Sequence, residues 1–159
     1  MKVVFIVIAI VVIAFVIFFF ILGQQSASGK AIGLVDTRLA QCASKPNCVC
    51  SEYQQDAEHY IKPLLPIETV ANSKVVLKKV IQKMGGKIKT ETANYIAATF
   101  TSKLFRFVDD LEIRIDAEKN IIHLRSASRV GHSDIGVNKR RIELLKKIYR
   151  ANGHKLSGQ

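Results

Sequence analysis

The stretch Asp109-Asp110-Leu111-Glu112-Ile113-Arg114-Ile115-Asp116, then Ala117-Glu118-Lys119-Asn120, then Ile121-Ile122-His123-Leu124-Arg125-Ser126-Ala127-Ser128 decides the fold. Leu111, Ile113 and Ile115 alternate with Glu112, Arg114 and Asp116, the two-residue period of a strand with one buried face. The polar turn 117–120 lets the chain return as a hairpin. With Asp116 opposite Ile121, Ile115 meets Ile122 and Ile113 meets Leu124, while Glu112 meets Arg125 and Arg114 meets His123. Apolar residues then face apolar ones and charges face charges, and a one-residue slip would undo both matches.

Upstream, residues 87–91 and 95–105 read as two further strands, and with 110–116 and 120–129 they form an antiparallel four-stranded meander. Residues 66–84 read as a helix, with Val70, Leu77, Val80, Ile81 and Met84 at helical spacing and Lys74, Lys78, Lys79 and Lys83 over the rest of its surface. Pro66 suits its start and Gly85-Gly86 its end. A second helix, 137–151, buries Ile142, Leu145, Ile148 and Tyr149 and turns Lys139, Arg140, Lys146, Lys147 and Arg150 outward. Ser133 or Asp134 is placed to cap it. The expected domain is α+β, with the meander flanked by two helices on one face.

Ahead of this domain, residues 3–22 carry no charged or strongly polar side chain. A helix of about 20 apolar residues spans a hydrocarbon core of roughly 30 Å. The run is longer than the apolar region of most signal peptides, although Ser26-Ala27-Ser28-Gly29 has the small residues of a cleavage site. Residues 1–22 are therefore read as a transmembrane anchor, with a removed signal peptide as the alternative. Lys2 and the amine before the span are nearly balanced by Lys30 and Arg38 soon after it. The very short N-terminal stub is easily left inside, which favours an extracytoplasmic, periplasmic domain. Small and polar residues across 23–40 read as a flexible tether. The basic domain then covers 41–155, and 156–159 form a tail.

The chain has net charge +11, and all but Lys2 of its basic residues follow the span. A basic domain beside a bilayer suits an anionic lipid, a glycan carrying phosphate, or an acidic protein. Nucleic acid is disfavoured by the anchor, by the absence of Trp and by the lack of aromatic residues interleaved with basic ones. The basic outer face of the last helix could also lie on an anionic bilayer, although its apolar stripe is needed for the core. Three cysteines, Cys42, Cys48 and Cys50, fall close together. Pro46-Asn47 is a turn that can close a Cys42–Cys48 disulfide, the preferred pairing; free thiols, or a zinc site completed by His59, are the alternatives. One intervening residue between Cys48 and Cys50 fits no common zinc spacing, so no metal is assigned.

At the open end of the hairpin the interior face turns polar: Leu111 meets Ser126 and Asp109 meets Ser128. Arg141, with Asn138 one turn before it, sits on the buried side of its helix. Two readings follow. In one, Asp109 or Asp134 pairs with Arg141 and the serines complete a closed polar network. In the other, Arg129 and Arg141 supply forked donors to an anion, helped by Ser126, Ser128, Ser133, Asn138 and the N–H groups where the helix begins at Gly136-Val137. Ser128, His132 and Asp134 lie near one another in sequence, but no Gly-x-Ser-x-Gly elbow surrounds them and no catalytic residue is assigned. Asp109 and Asp110 fall on opposite strand faces, against a cation site. No cofactor is expected.

The string 125–141, Arg-Ser-Ala-Ser-Arg-Val-Gly-His-Ser-Asp-Ile-Gly-Val-Asn-Lys-Arg-Arg, resembles the signature of the family catalogued as domain of unknown function number 1499. Cys42, Pro46-Asn47-Cys48-Val49, His59 and Pro63-Leu64 resemble its opening motif, and Asp109-Asp110 with Glu112 its middle one. Cys50 stands where the family typically shows Ser. The resemblance implies one domain from about Gln41 to Tyr149, often secreted or membrane-associated, and implies no reaction. The function expected is a membrane-anchored, non-enzymatic binding or assembly domain of the cell envelope. An envelope hydrolase or transferase acting on a phosphorylated or acylated substrate is the alternative.

Overall fold

The computed structural model describes residues 1–67 and 69–156; the expected tail therefore lies outside them from residue 157 onward. Helix α1 (Lys2–Ser28) opens the chain and is long and apolar enough to cross a membrane, with its apolar run exposed. A two-stranded hairpin follows, β1 (Leu34–Val35) and β2 (Arg38–Leu39). Then come β3 (Cys48–Cys50), α2 (Val70–Lys83), β4 (Lys87–Glu91), β5 (Tyr95–Thr101), β6 (Val108–Asp116), β7 (Ile121–Ser128) and α3 (Val137–Leu156).

The β6–β7 register is the one the alternation demands, from Asp116↔Ile121 through Glu112↔Arg125 to Asp109↔Ser128. The meander is extended by a fifth strand: the antiparallel sheet runs β3-β7-β6-β5-β4. Strand β3 has no polar–apolar alternation because both its faces are covered. Val49 enters the helix-side core, whereas Cys48 and Cys50 join the cluster on the other face. Cys42 and Cys48 form the disulfide, with Cα atoms 5.7 Å apart, and Cys50 is a buried thiol.

Helix α2 starts at Val70 rather than at Pro66, because Thr69 is the cap and its hydroxyl accepts from Asn72 N at 3.1 Å. The backbone just before it is used elsewhere: Ile67 N donates to Ser73 Oγ and to Tyr149 Oη. Strand β5 ends at Thr101, four residues short of the expected Phe105, where the chain leaves the sheet for α1. The expected cap of α3 is Asp134, which accepts from Gly136 N at 2.9 Å and Asn138 N at 2.6 Å.

Leu77, Val80 and Ile81 of α2 and Ile142, Leu145 and Tyr149 of α3 pack on Ile96, Leu111, Ile113, Ile122 and Leu124 of the sheet. Each such side chain contributes about 1.5–3 kcal/mol on burial. The opposite face is also covered. Leu39, fully buried, and the segment through Cys50 close over Tyr95, Ala97 and Ala127. Residues 23–40, expected as a flexible tether, thus hold the end of α1 and the β1–β2 hairpin, and they form part of the domain.

Candidate functional site

The interior polar residues at the open end of the hairpin form one network. Arg141 donates through Nη2 to Asp109 Oδ2 at 2.6 Å and through Nη1 to Ser126 Oγ at 2.9 Å, and it also reaches Asn138 Oδ1. Ser126 Oγ donates to Asn138 Oδ1 at 2.6 Å, and Asn138 Nδ2 donates to Ser128 Oγ and the Asn47 carbonyl, both at 3.0 Å. Of the expected anion ligands, Ser126, Ser128, Asn138 and Arg141 therefore come together with their polar atoms directed at one another. Ser133 stays in the exposed loop, accepting from Ile135 N. Asp134 is used as the α3 cap and does not meet Arg141.

Arg129 lies on the other face of the sheet. Its guanidinium forks onto Asp110, Nε to Oδ2 and Nη2 to Oδ1 at 2.8 Å each, and its Nη1 donates to the carbonyls of Ser26 and Gly29. The Asp110 carboxylate holds the Arg129 guanidinium above its ordinary pKa. The two arginines expected to share an anion are thus separated by the sheet.

That second face carries a polar system the alternation alone did not reveal. Glu112, fully buried, accepts at Oε1 from Tyr95 Oη at 2.6 Å and Gly33 N at 2.8 Å, and at Oε2 from Arg125 Nη1 at 2.6 Å. Burial, and then the Glu112 carboxylate, push the Tyr95 phenol upward, so it stays a protonated donor. Nearby, Glu52 accepts from Arg114 Nε at 2.6 Å and from Arg38 Nε at 3.2 Å. Burial works against the Glu52 charge, but the Arg114 hydrogen bond, the nearby His123 and the Leu39 N–H outweigh it and hold the carboxyl below its usual range. The matched charges across β6 and β7 are the signal of this system. The covering segment that buries them left no periodic trace.

Between the end of α1 and strands β4, β5 and β6 lies a groove of about 680 Å³. Lys30, Lys87, Lys89 and Arg129 line it, with Thr99 and Asp110. A bulge in β4 between Ile88 and Thr90 lets both Lys89 and Thr90 contribute to the wall. Asp110 is the one acid among the described lining residues, and Arg129 already neutralises it. The lysine ion pairs of the described residues lie elsewhere, at Lys74, Lys78 and Lys119. Lys30, Lys87 and Lys89 therefore leave the groove with a net positive charge, and sequence reasoning had assigned none of them to a site.

The model of a family described as protein of unknown function (DUF1499) matches residues 38–148. The chain belongs to this family. Within the matched span lie the whole five-stranded sheet and the groove's β-strand floor; α1 and the wall residues Ala27, Gly29 and Lys30 lie before it. No curated protein and no solved structure matches the chain.

Ser128 is bonded to Asn138, Asp134 caps α3, and His132 is exposed; no hydrogen bond joins the three among the described residues. His59 is hydrogen-bonded at Nδ1 to Asp56 at 2.8 Å and at Nε2 to the Lys45 carbonyl at 3.1 Å. Of the cysteines near it, Cys48 is in the disulfide and Cys50 meets it through its backbone N–H, which donates to the His59 carbonyl at 2.9 Å. No cluster of three metal-ligating side chains occurs among the described residues.

Proposed function

We propose that this protein is a membrane-anchored, non-enzymatic binding domain of the cell envelope that accepts an anionic ligand in the groove above the end of α1. The observation that carries this reading is the groove's uncompensated charge. Lys30, Lys87 and Lys89 face a space of about 680 Å³ whose only acid among the described residues is already paired. Ammonium groups with the hydroxyls of Thr90, Thr99 and Thr101 suit a phosphate, sulfate or carboxylate. Arg129 contributes by fixing the groove floor to the α1 end.

The anchor reading is supported by how α1 ends. The small residues that would make a cleavage site are helical to Ser28, and Ser26 is buried, its Oγ accepting from Val108 N at 2.9 Å. The Cys42–Cys48 bridge supports an oxidising, extracytoplasmic setting.

Native mass spectrometry of the detergent-extracted full-length chain tests the reading. A retained anionic mass is expected, and Lys87→Glu with Lys89→Glu should lose it while keeping its circular dichroism spectrum. A folded wild-type protein carrying no added mass, or a variant that keeps it, would overturn the proposal.

A further inference from the structure

The turn between β5 and β6, residues 102–107, reads Ser-Lys-Leu-Phe-Arg-Phe. It is closed at its base by Ser102 N to the Phe107 carbonyl at 2.8 Å and by Phe107 N to Ser102 Oγ at 2.9 Å. Its aromatic residues leave the domain core and pack on α1. The Phe105 ring lies 5.2 Å from Phe19 and 5.6 Å from Phe20, and the Phe107 ring lies 6.2 Å from Phe19. One turn further along α1 the two backbones touch: a Cβ at Gly23 would overlap the Phe105 carbonyl oxygen. Ser26 then ties the helix to Val108 N. The turn is therefore joined to the last turns of α1 over a continuous surface.

Those last turns set its depth. The apolar run ends at Leu22, so Phe19 and Phe20 lie about 3–5 Å beneath that edge at 1.5 Å per residue. Phe105 touches both. Leu104, next to it, is 69 % exposed, and Lys103 and Arg106 flank the pair on the surface. An apolar tip between two cations, held at the level where a membrane span ends, has the composition of an interfacial contact.

We propose that residues 103–107 form a second membrane contact, in which Leu104 and Phe105 enter the outer edge of the bilayer and Lys103 and Arg106 meet its headgroups. The inference rests on α1 being a retained span. It also deepens the binding reading. Ala27 of the groove wall, in the last helical turn, stands about 8 Å beyond Leu22, just outside a headgroup layer of roughly 5–7 Å. A seated domain holds the groove mouth against the membrane surface, where anionic lipid headgroups are the nearest ligand.

The chain contains no Trp, so a single introduced one reports its own surroundings. Full-length protein carrying Leu104→Trp would be reconstituted into vesicles of phosphatidylcholine and phosphatidylglycerol, with or without brominated acyl chains. Phe15→Trp, within the span, and Lys119→Trp, at the β6–β7 turn about 30 Å away along β6, are the references. The expected result is a blue-shifted Leu104→Trp emission that brominated chains quench to at least half the extent seen for Phe15→Trp, with Lys119→Trp unquenched. Quenching of Phe15→Trp alone would overturn the second contact while leaving the anchor in place. No quenching of either would remove the anchor and the contact together.

Discussion

Glu112→Gln is the substitution whose cost can be worked from the contacts. The carboxylate has three donors and no exposed surface: Tyr95 Oη and Gly33 N on one oxygen, Arg125 Nη1 on the other. Glutamine can keep the first two by presenting its carbonyl oxygen to them. Its amide nitrogen then faces the Arg125 guanidinium, donor against donor, and a cation only 5 % exposed loses its counter-charge. Breaking a buried pair from one side costs about 3–5 kcal/mol. For a domain of this size 1 kcal/mol moves the melting temperature by about 3–5 °C, so the midpoint should fall by about 9–25 °C. Thermal circular dichroism of the detergent-solubilised protein measures it. Adding Arg125→Met should restore most of the loss, because it removes the stranded charge together with Arg125 Nε, a buried donor that has no partner among the described residues. A fall of under 3 °C for the single variant would refute the reasoning. So would a double variant no more stable than the single one, which would place the cost in the Tyr95 and Gly33 contacts.

Asn138→Leu should lower stability by about 2–3 kcal/mol in urea denaturation, since it takes a hydrogen-bond partner from each of Ser126, Ser128 and Arg141 and leaves the Ser128 hydroxyl without the one it had. Unchanged stability would show that the network is not structural. Burial pushes the Cys50 thiol up to about 11, so iodoacetamide at pH 8 should leave Cys50 unmodified in the folded protein and alkylate it in urea; rapid labelling without denaturant contradicts this. Glu52 is held below its unfolded value, so its stabilising contribution is complete above about pH 4.3 and is lost as pH falls through the folded value. Glu52→Gln should accordingly flatten the acid limb of the stability curve, read as denaturation midpoints from pH 6 to pH 3, and an unaltered limb would assign acid sensitivity elsewhere.

The hairpin was readable because its two requirements agree: one face wants apolar pairs, the other wants paired charges, and one register alone supplies both. Helices α2 and α3 were readable from their apolar stripes, and Asn138 and Arg141 stood out because polar residues occupied positions that belong to the buried side. Strand β3 was not readable, since three residues buried on both faces have no period to detect. The strand and the chain beside it are held by the disulfide and by backbone bonds such as Ser51 N to the Leu124 carbonyl, which leave no mark on side-chain pattern.

The candidate groove was hidden for a related reason. Alternation along β6 and β7 places Glu112, Arg114 and Arg125 on one face but does not say whether water or protein covers that face. The usual inference is water. Here Gly33, Leu39 and Glu52 cover it, and a charge match that would be worth little on a surface becomes a buried contact. Closer to α1 the cover stops, and the same face remains open as the groove. The sign of that opening follows from the strands themselves: Lys87 and Lys89 come from the edge strand β4, where charged side chains also discourage pairing with another sheet. Edge protection alone does not account for Lys30, which comes from a different element and lines the same space. Charge reversal at Lys30 therefore separates the two roles. If the lysines guard an edge, Lys30→Glu leaves the retained anion unaffected; if they share a ligand, it lowers retention as Lys89→Glu does.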